Sequence, residues 1–177
     1  MGRVKNYVVK NNSSIELIKT DITQSNEVKN LFTKIKEKYK KIDGVIHGAG
    51  IVSPGIFENK SLLDFKRVIA PKVEGIKLID KYLTDYELTP DFIISFSSLS
   101  STVQGLSRGI SDYGTGNFFL DQYAKLMRNQ GKNFSVINWG PWEEKGMASN
   151  PLLLKKLAED GINSITLLEG CNSFEKL

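Results

Sequence analysis

The sequence predicts a doubly wound α/β domain, in which helices cover both faces of a parallel sheet. Apolar runs alternate with amphipathic helical patterns along the chain, and this alternation favours parallel strands. Three apolar runs, at residues 44–50, 91–98 and 134–142, lead into glycines, serines and Gly-Pro respectively, and ligands bind at the carboxyl ends of strands in open α/β sheets. A length of 177 residues, with 40% hydrophobic and 25% charged residues, fits one globular domain over residues 1–177.

The N-terminal part contains two candidate strands and one helix. Residues 1–13 show a weak strand signal in a polar frame, or else form a partly disordered lead. Residues 14–21 predict a strand that ends on an acidic residue, Asp21. From Ser25 to about Ile42 the apolar residues follow the spacing of an amphipathic helix. They are Val28, Leu31, Phe32, Ile35, Tyr39 and Ile42.

A short buried strand and a long helix come next. The strand is predicted over residues 44–50 and runs into two close glycines. The helix is predicted from the helical spacing of Leu62, Phe65, Ile69, Val73, Ile76 and Leu83. Pro71 lies inside this helix and should kink it, because proline removes one backbone donor.

Further strands and helices complete the alternation. Residues 91–98 predict a strand, and a helix from about Asp112 to Asn129 follows, with Gly131 as its end signal. Residues 134–142 predict another buried strand.

The last predicted helix begins at Pro151, since proline suits the first position of a helix. Ser149 or Asn150 can cap it, and the pattern runs to Gly161 with no apolar strand after it.

The sequence lacks one part that a dinucleotide-binding sheet normally has. Such sheets begin with a strand and a Gly-x-Gly-x-x-Gly turn, whose amides hold the pyrophosphate at a helix N-terminus. The glycines at residues 47–55 do not open a helix at that spacing. We therefore expect a sheet that is incomplete at its N-terminal Gly-rich strand, turn and helix, in a chain truncated at both ends. Cofactor binding by this chain alone should then be poor.

Composition excludes several classes of protein. The net charge is +4, and no basic run is long enough for a nucleic-acid footprint, since residues 34–42 keep their apolar side chains on one helical face. There is no 18-residue apolar run and no signal-peptide pattern, so no membrane association is expected. The single cysteine, Cys171, suits a reducing cytoplasm. One histidine, His47, excludes a His-rich metal site, and we expect no metal.

Residues 95–117 carry the candidate site. A predicted strand ends in paired serines, a Gly-punctuated loop follows, and Tyr113 and Asn117 then lie one helical turn apart. Ligands bind outside the carboxyl ends of parallel strands, so this stretch predicts a site. Ser-rich loops are also common without function, and the neighbouring motifs decide between the two interpretations.

Together the motifs resemble the ketoreductase domain of modular polyketide synthases, a branch of the short-chain dehydrogenase/reductase superfamily with a Rossmann-like sheet. Ordinary members of that superfamily carry Tyr-x-x-x-Lys on one helix, whereas here Asn117 takes the lysine position and Lys72 comes from the preceding helix. The motifs that carry the resemblance are Asp-Ile-Thr (21–23), GVIHGAG (44–50), PKVEG (71–75), SFSSLSS (95–101), DYGTGN (112–117), NFFLD (117–121), INWGPW (137–142) and Gly-Met (146–147).

The resemblance implies catalytic roles for four residues. Tyr113 would donate a proton to the substrate oxygen, and Lys72 would favour the phenolate by about 4 kcal/mol at about 4 Å and an effective dielectric of about 20. Ser98 would polarise the carbonyl, and Asn117 would orient Lys72 or a relay water. Ser100 remains an alternative to Ser98, because it has the family's usual distance of 13 residues from the tyrosine. A core tyrosine, a solvated lysine and a surface amide are the corresponding non-catalytic interpretations.

The resemblance also implies the cofactor and the substrate. NADPH would be bound by Asp21, Ile22, Gly48, Ala49, Gly50, Lys72, Tyr113, Asn138, Gly140 and Pro141. The glycines would allow close approach because they lack a side chain. His47 would support the end of its strand and the cofactor wall. The substrate would be a β-ketoacyl thioester on an acyl carrier protein, and the partners would be other polyketide synthase domains or a longer parent chain.

The sequence departs from the family pattern in ways that leave some questions open. Residues 51–54 lack a Leu-Asp-Asp pattern and the central loop lacks tryptophan, so neither stereochemical class is indicated. Gly114 and Gly116 stand where alanines are usual, at about 1 kcal/mol each in helix propensity. A non-catalytic remnant, and a short-chain reductase for free small ketones, remain alternative functions.

Overall fold

In the computed structural model, which describes residues 13–143, 146–148 and 150–176, three parallel strands form the sheet. The strands are β1 (Gly44–His47), β2 (Phe92–Ser98) and β3 (Phe134–Trp139). β2 lies in the centre: Gly44 pairs with Phe92 on one side, and Ser98 pairs with Trp139 on the other. The predicted parallel α/β sheet is confirmed, and the carboxyl ends of all three strands lie at one edge.

The helices largely follow the predicted pattern. Asn150 caps the fourth helix, as one of the two predicted caps, and its Oδ1 accepts the N–H of Leu152 at 2.9 Å. No helix in the described ranges is both long and apolar enough to cross a membrane. The helices are α1 (Ser25–Tyr39), α2 (Leu62–Asp85), α3 (Ser111–Asn129), α4 (Pro151–Glu159) and α5 (Leu167–Phe174), with short 3₁₀ turns at Phe57–Asn59 and Leu99–Ser101.

The two faces of the sheet are covered differently. On one face Ile93 packs into a core formed with α1, α2 and α3, whose buried members include Val28, Phe32, Ile76, Leu83, Leu120, Ala124 and Phe134. On the other face the ring of Phe96 meets Phe174 of α5, with centroids 5.9 Å apart. β1 is less buried than predicted, because Ile46 is 52% exposed. The layer of α1, α2 and α3 therefore holds the main core and positions the candidate site.

The prediction of a strand over residues 14–21 is wrong. This segment is irregular, and it pairs with no strand in the described part of the chain. Its apolar residues are partly solvent-exposed, with Leu17 at 63%. Glu16 instead binds Lys34 and Lys38 of α1, and the pKa of its carboxyl falls to about 2, chiefly because of the bond from Lys34. Without a neighbouring strand, an apolar pattern alone does not make a strand. The remainder of the predicted lead, residues 1–12, and Ser149 lie outside the described residues.

The sequence pattern did not lead to a prediction of α5, although a local signal for the start of a helix was present. Thr166 and Glu169 form a capping box, in which the Thr166 hydroxyl accepts the Glu169 N–H at 3.2 Å and the Glu169 carboxylate accepts the Thr166 N–H at 2.8 Å. β3 also ends earlier than predicted, and Trp142 forms an isolated parallel bridge with Ile165. That bridge brings α5 back to the edge of the sheet.

We predict that Gly170→Ala loosens the docking of α5. A methyl group at Gly170 would lie 2.1 Å from the ring of Trp142, so the helix or the indole must move. We expect a loss of about 1–3 kcal/mol in the free energy of unfolding, measured with urea. Asn172→Ala, an exposed change in the same helix, is the matched control. A gain in stability from the better helix propensity of alanine would contradict the prediction.

Candidate active site

The side chain of Lys72 crosses from α2 to the carboxyl-terminal part of β2. It is 4% exposed, and its Nζ donates a hydrogen bond to the carbonyl oxygen of Phe96 at 2.9 Å. The same Nζ lies 5.5 Å from the centroid of the Tyr113 ring. The structure therefore brings together the lysine and the tyrosine that the sequence places on different helices.

Burial changes the protonation of two groups at this position. The loss of solvent lowers the pKa of Lys72 from 10.5 to about 8, and the carboxylate of Asp121 opposes part of this change. Burial is the main cause that lowers the pKa of His47 to about 4, and the charge of Lys72 lowers it further. A hydrogen bond to the backbone of Pro71 has the opposite, smaller effect. His47 is 3% exposed at the end of β1, and its Nε2 has no partner among the described residues. Lys72 is thus mostly charged at neutral pH, and His47 is neutral.

Asn117 lies close to Tyr113 but does not bind Lys72. It is fully buried, and its Nδ2 donates to the carbonyl oxygen of Tyr113 at 2.9 Å. Its Oδ1 has no partner within the described part of the chain. The group that orients Lys72 here is the carbonyl of Phe96, so the role of Asn117 stays a prediction.

Ser98 and Ser100 both stand close to the end of β2. Ser98 is the last residue of that strand, and its Oγ accepts the N–H of Ser100 at 3.2 Å. Ser100 is 9% exposed, and its Oγ lies 3.5 Å from Nδ2 of Asn117. The choice of Ser98 as the catalytic serine stays a prediction, based on its fixed position at the strand end.

Asn138, predicted as a cofactor residue, uses its side chain inside the protein. Its Nδ2 donates to Oγ of Ser101 at 2.8 Å and to Oδ2 of Asp121 at 3.0 Å. Ser101 itself donates to the same carboxylate oxygen at 2.6 Å. The sequence reading did not single out Asp121, although it lies one helical turn beyond Asn117. Its carboxylate ties β3 and the turn after β2 to α3.

The remaining predicted cofactor residues lie at or near one edge of the sheet. Gly48, Ala49 and Gly50 directly follow β1, and Gly140 and Pro141 follow β3. This is the edge at which ligands bind in open α/β sheets.

Glycine at position 50 also has a packing reason. A Cβ there would lie 3.1 Å from Cε of Lys72 and 3.6 Å from Cε of Met147. The absence of a side chain therefore makes room for the lysine.

Ile22 lies near His47 at the end of β1, and Asp21 precedes it in the chain. Ile22 packs on α2, where a Cβ at Gly75 would lie 2.6 Å from Cδ1 of Ile22 and 3.6 Å from Cε1 of His47. Asp21 is exposed, and its Oδ1 accepts hydrogen bonds from the backbone and hydroxyl of Thr23, which lower the pKa of the carboxyl. The role of Asp21 in cofactor binding stays a prediction.

Comparison with known proteins assigns this arrangement to a family. The family model for the KR domain matches residues 4–144. The chain belongs to the ketoreductase (KR) domains of polyketide synthases. It is 36% identical over 147 residues to polyketide synthase PksN and 31% identical over 167 residues to polyketide synthase PksL, both of Bacillus subtilis (strain 168). These matches cover 79% and 93% of this KR chain, but 3% and 4% of the relatives.

A solved ketoreductase domain from the bacillaene assembly line has the same fold. It superposes on this KR chain with a TM-score of 0.86 at 28% identity, covering 98% of this chain and 42% of the other. The family implies a nicotinamide cofactor. The hydrogen-bond donors of the site fit such a cofactor. A lysine ammonium has three N–H groups, and the carbonyl of Phe96 is the one hydrogen-bond partner of Lys72 among the described residues, so N–H groups are left for a ligand.

We predict that His47 makes folding stability fall in mild acid. Its pKa is about 4 when folded and 6.5 as a free side chain, so between these values the unfolded chain binds a proton that the folded chain does not. Stability is therefore lost as the pH falls from 6.5 towards 4, by up to about 3 kcal/mol.

Urea unfolding at pH 7, 5.5 and 4.5, for the native chain and His47→Gln, measures this contribution. The variant should show a smaller loss of stability in acid, while the carboxylates contribute equally to both chains. Identical pH dependence in the two chains would refute the prediction.

Proposed function

We propose that this chain, completed by a longer parent chain or a partner, reduces a β-ketoacyl thioester, held on an acyl carrier protein, to the β-hydroxyacyl thioester with NADPH, in cytoplasmic polyketide biosynthesis. The observation that carries the proposal is the buried ammonium of Lys72 beside the ring of Tyr113, next to the strand end that bears Ser98. Membership of the KR family supports the same reaction.

Reduction of a ketone requires a proton for the oxygen as well as a hydride for the carbon. In the proposal the Tyr113 hydroxyl donates the proton. A free phenol, with a pKa of about 10, is a weak acid at neutral pH, so a nearby cation favours the transfer. Lys72 supplies that cation, because its pKa of about 8 keeps most molecules charged at pH 7. Ser98 binds the carbonyl oxygen and stabilises the charge that develops on it.

NADPH supplies the hydride when it is bound. Gly48, Ala49, Gly50, Gly140 and Pro141 would line its site, and the ammonium of Lys72 has donors available for hydroxyl groups there. Asp21 and Ile22 would contact its adenine end, and Asn138 would act indirectly by fixing the end of β3. The preference for NADPH over NADH is implied by the resemblance alone.

The proposed partners are an acyl carrier protein and other polyketide synthase domains, in a longer parent chain or in a complex. The small fraction of PksN and PksL that this chain spans, 3% and 4%, supports that setting.

We predict that Tyr113→Phe removes turnover but not cofactor binding. Binding of NADPH and NADH is followed by fluorescence titration, and reduction of a β-ketoacyl pantetheine thioester by the loss of NADPH absorbance. Loss of the phenol hydroxyl should lower kcat by about 10²–10⁴-fold, because the proton donor is gone. The dissociation constant of NADPH should change little. Tyr39→Phe, which removes an exposed hydroxyl bound to Glu16, is the matched control.

Three results would contradict the proposal in different ways. Turnover of free ketones without thioester turnover would identify a small-ketone reductase. Binding of NADPH without any turnover would indicate a non-catalytic remnant. Equal activity of the Tyr113→Phe variant would exclude Tyr113 as the proton donor.

A further inference from the structure

A buried ion pair lies next to Tyr113, outside the residues assigned to the reaction. Nζ of Lys60 stands 2.5 Å from Oδ2 of Asp112, and the side chains are 7% and 0% exposed. Among the ion pairs between described residues, this one alone has both side chains less than a tenth exposed. Asp112 immediately precedes Tyr113 in the first turn of α3.

Both charged groups have further hydrogen bonds. Oδ1 of Asp112 accepts the backbone N–H of Tyr113 at 2.9 Å, and Nζ of Lys60 donates to the carbonyl oxygen of Ser53 at 2.5 Å. Buried charges are tolerated where they are paired and hydrogen-bonded in this way. Removal of one partner leaves the other charge buried without compensation for its lost hydration, which is strongly destabilising. The ion pair therefore holds its two segments in a fixed relative position.

A backbone bond joins the same two segments. The N–H of Gly55 donates to the carbonyl oxygen of Gly109 at 2.8 Å. Beside these contacts lies a cavity of about 380 Å³ that is open to solvent, lined on one side by Phe57 and on the other by Arg108 and Ser111. One wall belongs to the segment between β1 and α2, and the other belongs to the segment between β2 and α3 and to the first residue of α3.

We propose that Lys60 is a positioning residue for the reaction: through Asp112 it fixes the segment after β1 against the first turn of α3, and so sets the place of Tyr113 and the width of the adjacent cavity. The catalytic part of this inference rests on the proposed function. The structural part does not, because the contact joins two segments whether or not the chain turns over substrate.

Amide hydrogen exchange, followed by NMR, tests the structural part. In the native chain the amides of Gly55 and Tyr113 should both be protected. Lys60→Met should speed exchange at these two amides by about tenfold or more, since it leaves Asp112 buried and unpaired, while core amides such as that of Ile93 change less. Lys41→Met is the matched control, because Lys41 pairs with Asp43 where the side chains are 77% and 72% exposed.

Free exchange of the Gly55 amide in the native chain would overturn the proposal, even if no variant folds. Unchanged exchange in a folded Lys60→Met chain, or an equal effect of Lys41→Met, would overturn it too. Asp112→Asn, which keeps an acceptor for the N–H of Tyr113, provides a second variant and should speed exchange at Gly55.

Kinetics test the catalytic part. Lys60→Met should lower kcat for the pantetheine thioester by about tenfold or more while KM for NADPH stays within about twofold, and Lys60→Arg should restore part of kcat. A parallel rise in KM for NADPH with no change in kcat would show that Lys60 does not position Tyr113. If the chain shows no turnover even when the rest of its parent chain or its partner is present, the proposed function fails, and the exchange at Gly55 still decides whether the ion pair holds the two segments.

Discussion

The burial of one charged group, the ammonium of Lys72, is the constraint on which the candidate site depends. A lysine that is 4% exposed needs an acceptor and space for its long stem. The carbonyl of Phe96 is the acceptor, and two glycines leave the space. A Cβ added at Gly50 would lie 3.1 Å from Cε of Lys72, and a Cβ added at Gly116 would lie 3.3 Å from its Cδ. Gly116, costly for a helix by propensity, is therefore explained by the side chain that passes it.

Two polar groups hold the ends of the segment between β2 and α3. At its start, Asp121 binds Ser101 and Asn138, which ties the turn after Ser98 to β3. At its end, Asp112 binds Lys60, which ties the beginning of α3 to the segment after β1. Both acids belong to α3, and neither contacts the other's partners. The helix that carries Tyr113 is thus anchored through side chains to β3, to the turn after β2 and to the segment between β1 and α2, as well as through its apolar face.

Local pattern predicted the sheet and the serine-rich stretch before Tyr113, because these depend on periodicity and on motifs of adjacent residues, whereas the roles of the candidate residues came from the family resemblance. The pairing of Lys72 with Tyr113 was implied by the resemblance to the ketoreductase family, because the two residues lie on different helices. The contacts that depend on tertiary packing could not be predicted from the sequence. The acceptor for Lys72 is a backbone carbonyl, and the partner of Asp112 lies 52 residues away. At residues 14–21 the local pattern gave a wrong prediction. The apolar pattern there has no neighbouring strand among the described residues to pair with, and the segment is irregular. Only α5 had a local signal that was overlooked.

The position of the two tryptophans gives the chain a built-in optical reporter. Trp139 and Trp142 are the only tryptophans in the sequence, and their ring centroids lie 5.1 Å apart where β3 leaves the sheet. Phe96 also stacks edge-on against Trp139. All indole emission therefore originates from one corner of the molecule, beside the edge at which the strands end. A change in emission reports on that corner and on the docking of α5, whereas rearrangement of the distant α1 would pass unseen.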